Sequence, residues 1–403
     1  MIKVESEILK NLDLKQSLPQ QVVDIANKKR RNLFTWRGQF SPQLIEALIQ
    51  NYAKKGDVLF DPFTGSGTLL LEAASLDLDI YGTELNPAAF GLASIYKLIQ
   101  VPPKDRETSL EIIEDLVNDY IPLQDLFNQS EGKALSNLKE ELVNAHNKHK
   151  SSSTGIIIKA LIIGLDFEQK KLDYKKLQTA WNTLKTKVQN LPYSSSLIEL
   201  FLADARKTSI EKSTIDLVIT SPPYINVFNY HQNYRKSVEA IGYNVLDVAK
   251  SEIGSNRKFR SNRFLTVIQY ALDIFLVFQE LKRICKKDAK VIFIVGRESS
   301  VRKTPFFNAK ILTEVANTLG FELKGEQPRV FTNKFGQNIY EEILRFSINH
   351  NTKEKSIEKA KTIAIKHLKN ALKFAPKESI EDLKSAIIKA DKVDCSKIYI
   401  PIK

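Results

Sequence analysis

Cysteine is nearly absent. The 403 residues contain two, Cys285 and Cys395, far apart and outside any Cys-x-x-Cys or Cys/His cluster. That pattern excludes a disulfide framework and a structural zinc site, so no metal is expected and a reducing, cytoplasmic compartment fits. Histidine is scarce as well, with five residues, of which His231 is expected to be a loop histidine without a role. Long hydrophobic runs are missing. The longest, such as residues 156–165, are too short for a membrane span, so no membrane partner is expected. Residues 1–15 are charged and carry no apolar core of a signal peptide. Acidic residues are in deficit: 47 Asp and Glu face 60 Lys and Arg, for a net charge of +13. A surplus of that size attracts polyanions, nucleic acid first among them, although a Lys-rich composition alone would also produce it.

What is present is ordinary for a globular chain. Hydrophobic residues make up 43% and charged residues 27%, enough for a sizeable core. Residues 1–31 read as polar and helical, ending in Lys28-Lys29-Arg30-Arg31. A helix is predicted over 42–52, with Ser41 as N-cap and Leu44, Ile45, Leu48 and Ile49 on one face. Short apolar strands at 58–60 and 80–83 flank a helix over 67–74, the opening of a parallel α/β sheet. From 101 to 195 the periodicity becomes helical and interrupts the strand rhythm, as an insertion would. Strand signals resume at 197–202, 216–219 and 291–295, with a polar, basic loop and a long apolar helix (264–284) between the last two. Segments 321–331 and 342–346 read as an antiparallel pair at the sheet edge, and helices follow beyond His350. The expected organisation is therefore 1–100 as N-terminal helices and the cofactor half, 101–195 as a helical insertion, 196–350 as the catalytic half with a substrate-facing basic loop over 225–263, and 351–403 as a helical Lys-rich tail.

Two stretches carry chemistry. In Asp61-Pro62-Phe63-Thr64-Gly65-Ser66-Gly67-Thr68 a strand ends in a turn with two glycines and opens a helix. Gly65 and Gly67 permit a sharp turn and close ligand approach, and the helix start offers free N–H groups. Asp61 can pair with an ammonium, and Phe63 can cover a flat ring. Glu84 ends the next strand about twenty residues on, where an acid accepts hydrogen bonds from ribose hydroxyls. The turn lacks the Gly-Lys-Ser/Thr ending of a phosphate loop, and Leu70 stands where a dinucleotide site would carry its third glycine. The second stretch is Thr220-Ser221-Pro222-Pro223-Tyr224. Its prolines stiffen the loop and leave carbonyls facing the cleft, and Tyr224 adds a ring for stacking. Together they form a clamp for a planar group bearing an amine.

These two motifs resemble those of the amino-methyltransferases of DNA, which methylate cytosine N4 or adenine N6. Asp61 to Gly67 looks like their D-P-F-x-G-S-G cofactor motif. Ser221 to Tyr224 looks like the S-P-P-Y motif of most cytosine-N4 enzymes, where adenine enzymes carry Asp or Asn first. Phe40 and Ser41 resemble the upstream segment around the methionine end of the cofactor, and Asp204 the acid near its adenine. The order is cofactor motif first, whereas many cytosine-N4 enzymes have the permuted order. The resemblance implies a Rossmann-like class I methyltransferase fold with a seven-stranded, mostly parallel sheet and an antiparallel edge strand. It implies S-adenosylmethionine as cofactor, bound by Phe40, Ser41, Asp61, Phe63, Gly65, Gly67, Thr68, Glu84 and Asp204. Ser221, Pro222, Pro223 and Tyr224 would be catalytic, with the Pro222 carbonyl and Ser221 hydroxyl accepting the hydrogens of the target amine. The substrate would be double-stranded DNA whose cytosine is flipped out and stacked on Tyr224, with Phe228 and Tyr230 nearby. A cognate restriction endonuclease is left open as a partner.

Two basic stretches are candidates for DNA contact. One is residues 28–37, with Lys28, Lys29, Arg30, Arg31 and Arg37 around Trp36. The other is residues 250–263, with Lys250, Arg257, Lys258, Arg260 and Arg263 beside Asn256 and Asn262. Arg and Asn suit base-edge reading. Alternatives that keep the fold are an adenine-N6 enzyme and a tRNA guanine-N2 enzyme, which would normally carry Asp before the prolines. A non-catalytic DNA-binding partner is a third.

Overall fold

The architecture is that of a computed structural model, which describes residues 9–25, 29–36, 38–120, 123–125, 128–130, 137–168, 173–225, 230–255, 259–333, 336–353 and 356–401. Phe228 lies outside these residues, as does the side chain of Tyr230. Seven strands form one sheet: β1 (Val58–Asp61), β2 (Asp79–Glu84), β3 (Ile198–Leu202), β4 (Ile215–Thr220), β5 (Cys285–Gly296), β6 (Phe321–Thr332) and β7 (Asn338–Ile348). Their spatial order is β6-β7-β5-β4-β1-β2-β3. The β3–β2–β1–β4–β5 run is parallel. β7 runs antiparallel to both neighbours, so the antiparallel strand sits between β5 and the outermost β6. This is the class I methyltransferase fold.

The central strands are continuous apolar runs because helices cover both faces. β4 is buried at five of its six residues, and β5 from Val291 to Gly296 throughout. The chain order reverses between β1 and β4, and the crevice beyond the carboxyl ends of the strands opens at such a switch point. Both chemical motifs leave the sheet there, one from β1 and one from β4.

Among its described residues the stretch 101–195 holds four helices, Pro103–Asn118, Leu138–Lys148, Ser153–Leu165 and Tyr174–Gln189, and a short antiparallel pair, Leu123–Asp125 with Asn128–Ser130, which the helical expectation did not include. The third helix is apolar nearly all round and lies central, as such a helix must. Its Ile157, Ile158, Leu161 and Ile162 share one continuous core with Leu44, Leu48, Leu59 and Ile80 beneath the sheet. The inserted helices pack on helix Pro87–Ala93 and the turn Ser94–Gln100 that follows it, which themselves lie on the sheet.

The N-terminal segment departs from the helical expectation. Among the described residues between 9 and 41 only Gln20–Asp24 is helical. Residues 10–12 bond to backbone at the end of helix Pro42–Tyr52, and residues 14–24 lie against β6 and β7, where side chains of the sheet satisfy backbone groups. Arg345 Nε donates to the Leu14 carbonyl at 2.8 Å. Gln327 grips Leu18 through its backbone N–H (3.1 Å) and carbonyl (2.7 Å). Partners that satisfy backbone groups this way remove the need for helical hydrogen bonds.

The tail also divides. Helix Ile357–Ala371 buries Ala360, Ala364 and Leu368 in the core that holds helix Leu265–Ile284. After helix Ile380–Ile388 the chain turns extended over 394–401 and returns to the sheet. There Ser396 N–H donates to Asp273 (2.9 Å) and Tyr399 N–H to Asp204 (3.0 Å). Among the described residues no helix is long and apolar enough to cross a membrane, and no cluster of potential metal ligands occurs.

Candidate active site

The glycine turn and the diproline loop open on one pocket. Its volume is about 380 Å³, and its wall includes Phe40, Phe63, Gly65, Thr68 and Glu84 on one side and Ser221, Pro222, Pro223 and Tyr224 on another. Asp204 lines it too, and Trp36, Ser251, Glu252 and Glu341 close it. A larger cleft of about 980 Å³ lies outside. The two cavities share Trp36, Phe40, Ser221, Phe331 and Glu341, so Ser221 stands on the wall between them.

The two glycines of the turn serve different ends. Both have positive φ, 56° at Gly65 and 92° at Gly67, which strains any residue with a Cβ. A Cβ on Gly65 would meet nothing closer than the Trp36 ring at 3.6 Å, whereas one on Gly67 would sit 2.6 Å from the Tyr96 ring. Gly65 thus keeps the pocket open, and Gly67 seats the helix Thr68–Ser75 against Tyr96. Thr68 is fixed by donating to Asn32 Oδ1 at 2.8 Å, and Asn32 in turn donates to the Phe40 carbonyl at 2.7 Å. Ser41 caps no backbone group of its helix; its buried hydroxyl has no partner and lies on the outer cleft.

Two buried acids frame the turn. Asp61 Oδ1 accepts from Thr220 Oγ1 (2.6 Å) and Phe63 N–H (3.0 Å), while Oδ2 is buried with no partner among the described residues. Burial pushes its pKa up to about 7, against the pull of those two hydrogen bonds. Glu84 accepts from the N–H groups of Gly65 and Asn86, each at 2.7 Å. Burial likewise pushes it up to about 7. Asp61 itself is buried and does not line the pocket, although its neighbours Pro62 and Phe63 do; its ionised form would favour a cation there. The lining residues fit S-adenosylmethionine, with Glu84 placed for ribose hydroxyls and Phe63 and Phe40 for its flat and apolar parts.

Asp204 reaches the pocket wall with its carboxylate already engaged. It takes Arg206 Nε (2.8 Å), Arg206 Nη2 (2.6 Å), Arg206 N–H (3.0 Å) and Tyr399 N–H. Arg206 also donates to Asp273 Oδ1 at 2.7 Å and to Ser396, and its side chain is wholly buried. Neither Arg206 nor the returning tail stood out in the sequence, because the network joins positions nearly two hundred residues apart.

At the catalytic loop, Ser221 Oγ lies 3.3 Å from Tyr224 Oη, which donates to Glu341 Oε1 at 3.5 Å. His231 is a staple and not an idle loop residue. Its ring nitrogen lies 2.8 Å from Glu252 Oε2 and its N–H donates to Glu252 Oε1 at 2.7 Å, tying the loop to the pocket wall. Trp36 stacks on Tyr234 with centroids 6.3 Å apart and 20° between planes. Both line the outer cleft. Tyr234 and Glu341 were missed in the sequence, where nothing local marks them.

The basic stretches divide. Lys28, Arg37, Asn256, Arg257 and Lys258 lie outside the described residues. Arg30 is engaged with Glu72 (2.9 Å) and Glu46 (2.5 Å), and Lys250 with Asp247. Asn262, expected to read bases, is buried: it donates to the Asp382 carbonyl at 2.6 Å and accepts from Phe264 N–H. Lys29, Arg31, Arg260 and Arg263 are exposed.

Comparison with known proteins agrees with the motifs. A family described as DNA methylase matches residues 9–94. Type II methyltransferase M.BsoBI from Geobacillus stearothermophilus is 21% identical, over 78% of this chain and 84% of its own length. Type II methyltransferase M.MjaII from Methanocaldococcus jannaschii is 26% identical over 100 residues, 24% of this chain and 18% of its own. A solved structure, TrmN from Thermus thermophilus, aligns at 16% identity and TM-score 0.32 over 78% of this chain and 50% of that one. With its glycine turn inside the matched region and its diproline loop on the same pocket, the chain is similar to the DNA amino-methyltransferases, and its pocket fits their cofactor, S-adenosylmethionine.

Proposed function

We propose that this chain methylates the N4 amino group of cytosine in double-stranded DNA, within a restriction–modification pair. The observation that carries the reading is the place of Ser221 on the wall shared by the cofactor pocket and the outer cleft. S-adenosylmethionine supplies an electrophilic methyl group when bound. The chain has to bring an amine to it and make that amine nucleophilic. An amino group on cytosine is a poor nucleophile because its lone pair is conjugated into the ring. The Ser221 hydroxyl and the Pro222 carbonyl are the acceptors that would draw its two hydrogens and free the lone pair, so the gain comes from positioning and local electrostatics. A base inside a duplex must first leave the stack, and the outer cleft, with its stacked Trp36–Tyr234 pair, offers it a way in. Exposed Arg260 and Arg263, with Arg257 and Lys258 between the same elements, are the proposed backbone contacts.

Cytosine is favoured over adenine by Ser221, which stands where adenine enzymes carry Asp or Asn. The names of the relatives, both Type II methyltransferases, support the restriction–modification setting and a cognate endonuclease as partner. Expression in a methylation-free host followed by single-molecule mapping of modified bases is expected to show methyl on cytosine N4 at one recurring sequence. Methyl on adenine N6 would overturn the base assignment.

Cofactor binding should depend on pH. Asp61 and Glu84 both titrate near pH 7 in the free protein. A cation beside Asp61 favours its ionised form, so binding releases a proton below pH 7 and affinity rises as pH climbs through that value. Calorimetry in buffers of different ionisation heat measures the release; Asp61→Asn should abolish most of it. Proton uptake on binding would contradict this assignment.

A further inference from the structure

Methylating an amine leaves a proton to be disposed of, and the Ser-Pro-Pro-Tyr loop contains no group that ionises near neutrality. The other acids on the pocket wall are committed elsewhere. Glu84 holds two backbone N–H groups, Asp204 is paired with Arg206, and Glu252 is bound to His231. Glu341 differs. It projects from β7 into both cavities, with Oε2 held by Arg329 Nη1 at 2.7 Å. Oε1 faces the Tyr224 hydroxyl. The pairs run in one direction. Tyr224 donates to Glu341, which leaves its oxygen to accept from Ser221, whose own oxygen is then open to an incoming N–H.

We propose that Glu341 is the proton acceptor of the methyl-transfer reaction, reached from the target amine through the hydroxyls of Ser221 and Tyr224. The inference rests on the function proposed above. In the step, the exocyclic nitrogen's lone pair forms the N–CH3 bond as the S–CH3 bond breaks, and that bond's electron pair stays on sulfur. The nitrogen now carries the positive charge and loses one N–H proton to Ser221 Oγ. Ser221 passes its hydroxyl proton to Tyr224, and Tyr224 passes its own to Glu341 Oε1. Ser221 and Tyr224 end unchanged, Glu341 ends as a neutral acid, and the base ends as a neutral methylamine. Distances of 3.3 and 3.5 Å are long for hydroxyl hydrogen bonds, but such contacts tighten when substrate fills the site.

The surroundings suit the role. Burial holds Glu341 above the usual carboxylate range in spite of Arg329, moving its proton affinity toward neutrality. On the β6 side its cross-strand neighbour is Arg329, which also donates to the Val23 carbonyl (3.0 Å). On the β5 side it faces Gly296, which brings no charge, and the adjacent Arg297 turns to Glu342 at 2.6 Å. From the loop it meets Tyr224.

The test compares wild type, Glu341→Gln, Glu341→Asp and Tyr224→Phe in single-turnover methylation of DNA from a methylation-free host, across pH. Wild type is expected to lose rate as pH falls below the Glu341 pKa. Glu341→Gln should be slower by on the order of 10²-fold, the lower end of general-base effects, with that acidic limb gone and DNA affinity kept. Glu341→Asp should restore part of the rate and the limb. Tyr224→Phe keeps the ring and breaks the relay, so it should also flatten the profile. Infrared difference titration of wild type against Glu341→Gln should show one carboxyl titrating above the ordinary range, independently of turnover. An active Glu341→Gln with wild-type rate, or a slow one that keeps the acidic limb, overturns the proposal. An active wild type whose methyl lies on adenine sinks only the base assignment, and a wild type that methylates no DNA sinks both readings.

Discussion

Tyr224→Ala is expected to lower the single-turnover methylation rate by about 10³-fold while changing cofactor affinity far less. Two losses combine. A base stacked on an aromatic ring gains ~1–3 kcal/mol, and truncation would forfeit that at a flipped target base. The hydroxyl link between Ser221 and Glu341 goes with the ring, and a missing proton path typically costs about 10²-fold or more. The ring is held in place from below. At Gly296 on β5, a Cβ would lie 3.0 Å from Tyr224 Cε2, so the strand has no side chain where the ring packs. The residues proposed to hold the cofactor, Phe63, Gly65 and Glu84, come from the glycine turn and the end of β2, apart from the diproline loop. Equal losses of rate and of cofactor affinity would place the ring in the cofactor site and refute the stacking role.

Arg206→Met is expected to destabilise the fold by about 3–5 kcal/mol in denaturant titrations near pH 7.5, the usual cost of removing one member of a buried charge network. The arginine is the sole described cation between Asp204 and Asp273, and it also donates to Ser396 Oγ (2.6 Å) and to the carbonyls of Ser396 (2.9 Å) and Lys397 (2.9 Å). Methionine fills the space and leaves carboxylates facing one another. Burial already pushes Asp273 up to about 6. Arg206 holds that pKa down, so its loss moves Asp273 higher still, and the variant falls behind wild type as pH rises above about 6. The variant's deficit should therefore shrink toward pH 5. Cofactor affinity should fall too, since the network fastens the tail segment 396–399 behind the pocket wall at Asp204 and Ser251. A loss under about 1 kcal/mol would mean that packing alone holds the tail.

Much of the fold was legible in the chain. The apolar runs at β1, β2, β4 and β5 announced a parallel sheet because strands covered on both faces need no polar side. The glycine turn and the diproline loop were legible for a related reason: their demands are local. A positive φ, a missing Cβ or a fixed proline φ is written in the residue itself. The N-terminal segment misled because its polar composition suits a helix. Leu14, in a turn, and Leu18 are instead gripped by Arg345 and Gln327, more than three hundred residues away.

The sequence alone determined the resemblance to the DNA amino-methyltransferases, the order of the two motifs and the residue types they carry, since each follows from short-range backbone geometry and side-chain chemistry. Only the tertiary structure decided that Ser221 divides two cavities, that Glu341 and Tyr234 join the site, and that Asp204 is already held by Arg206. Those contacts come from strand register and from a tail that folds back across the sheet. Such pairings cost chain entropy that only the completed core repays, so no local window of residues encodes them.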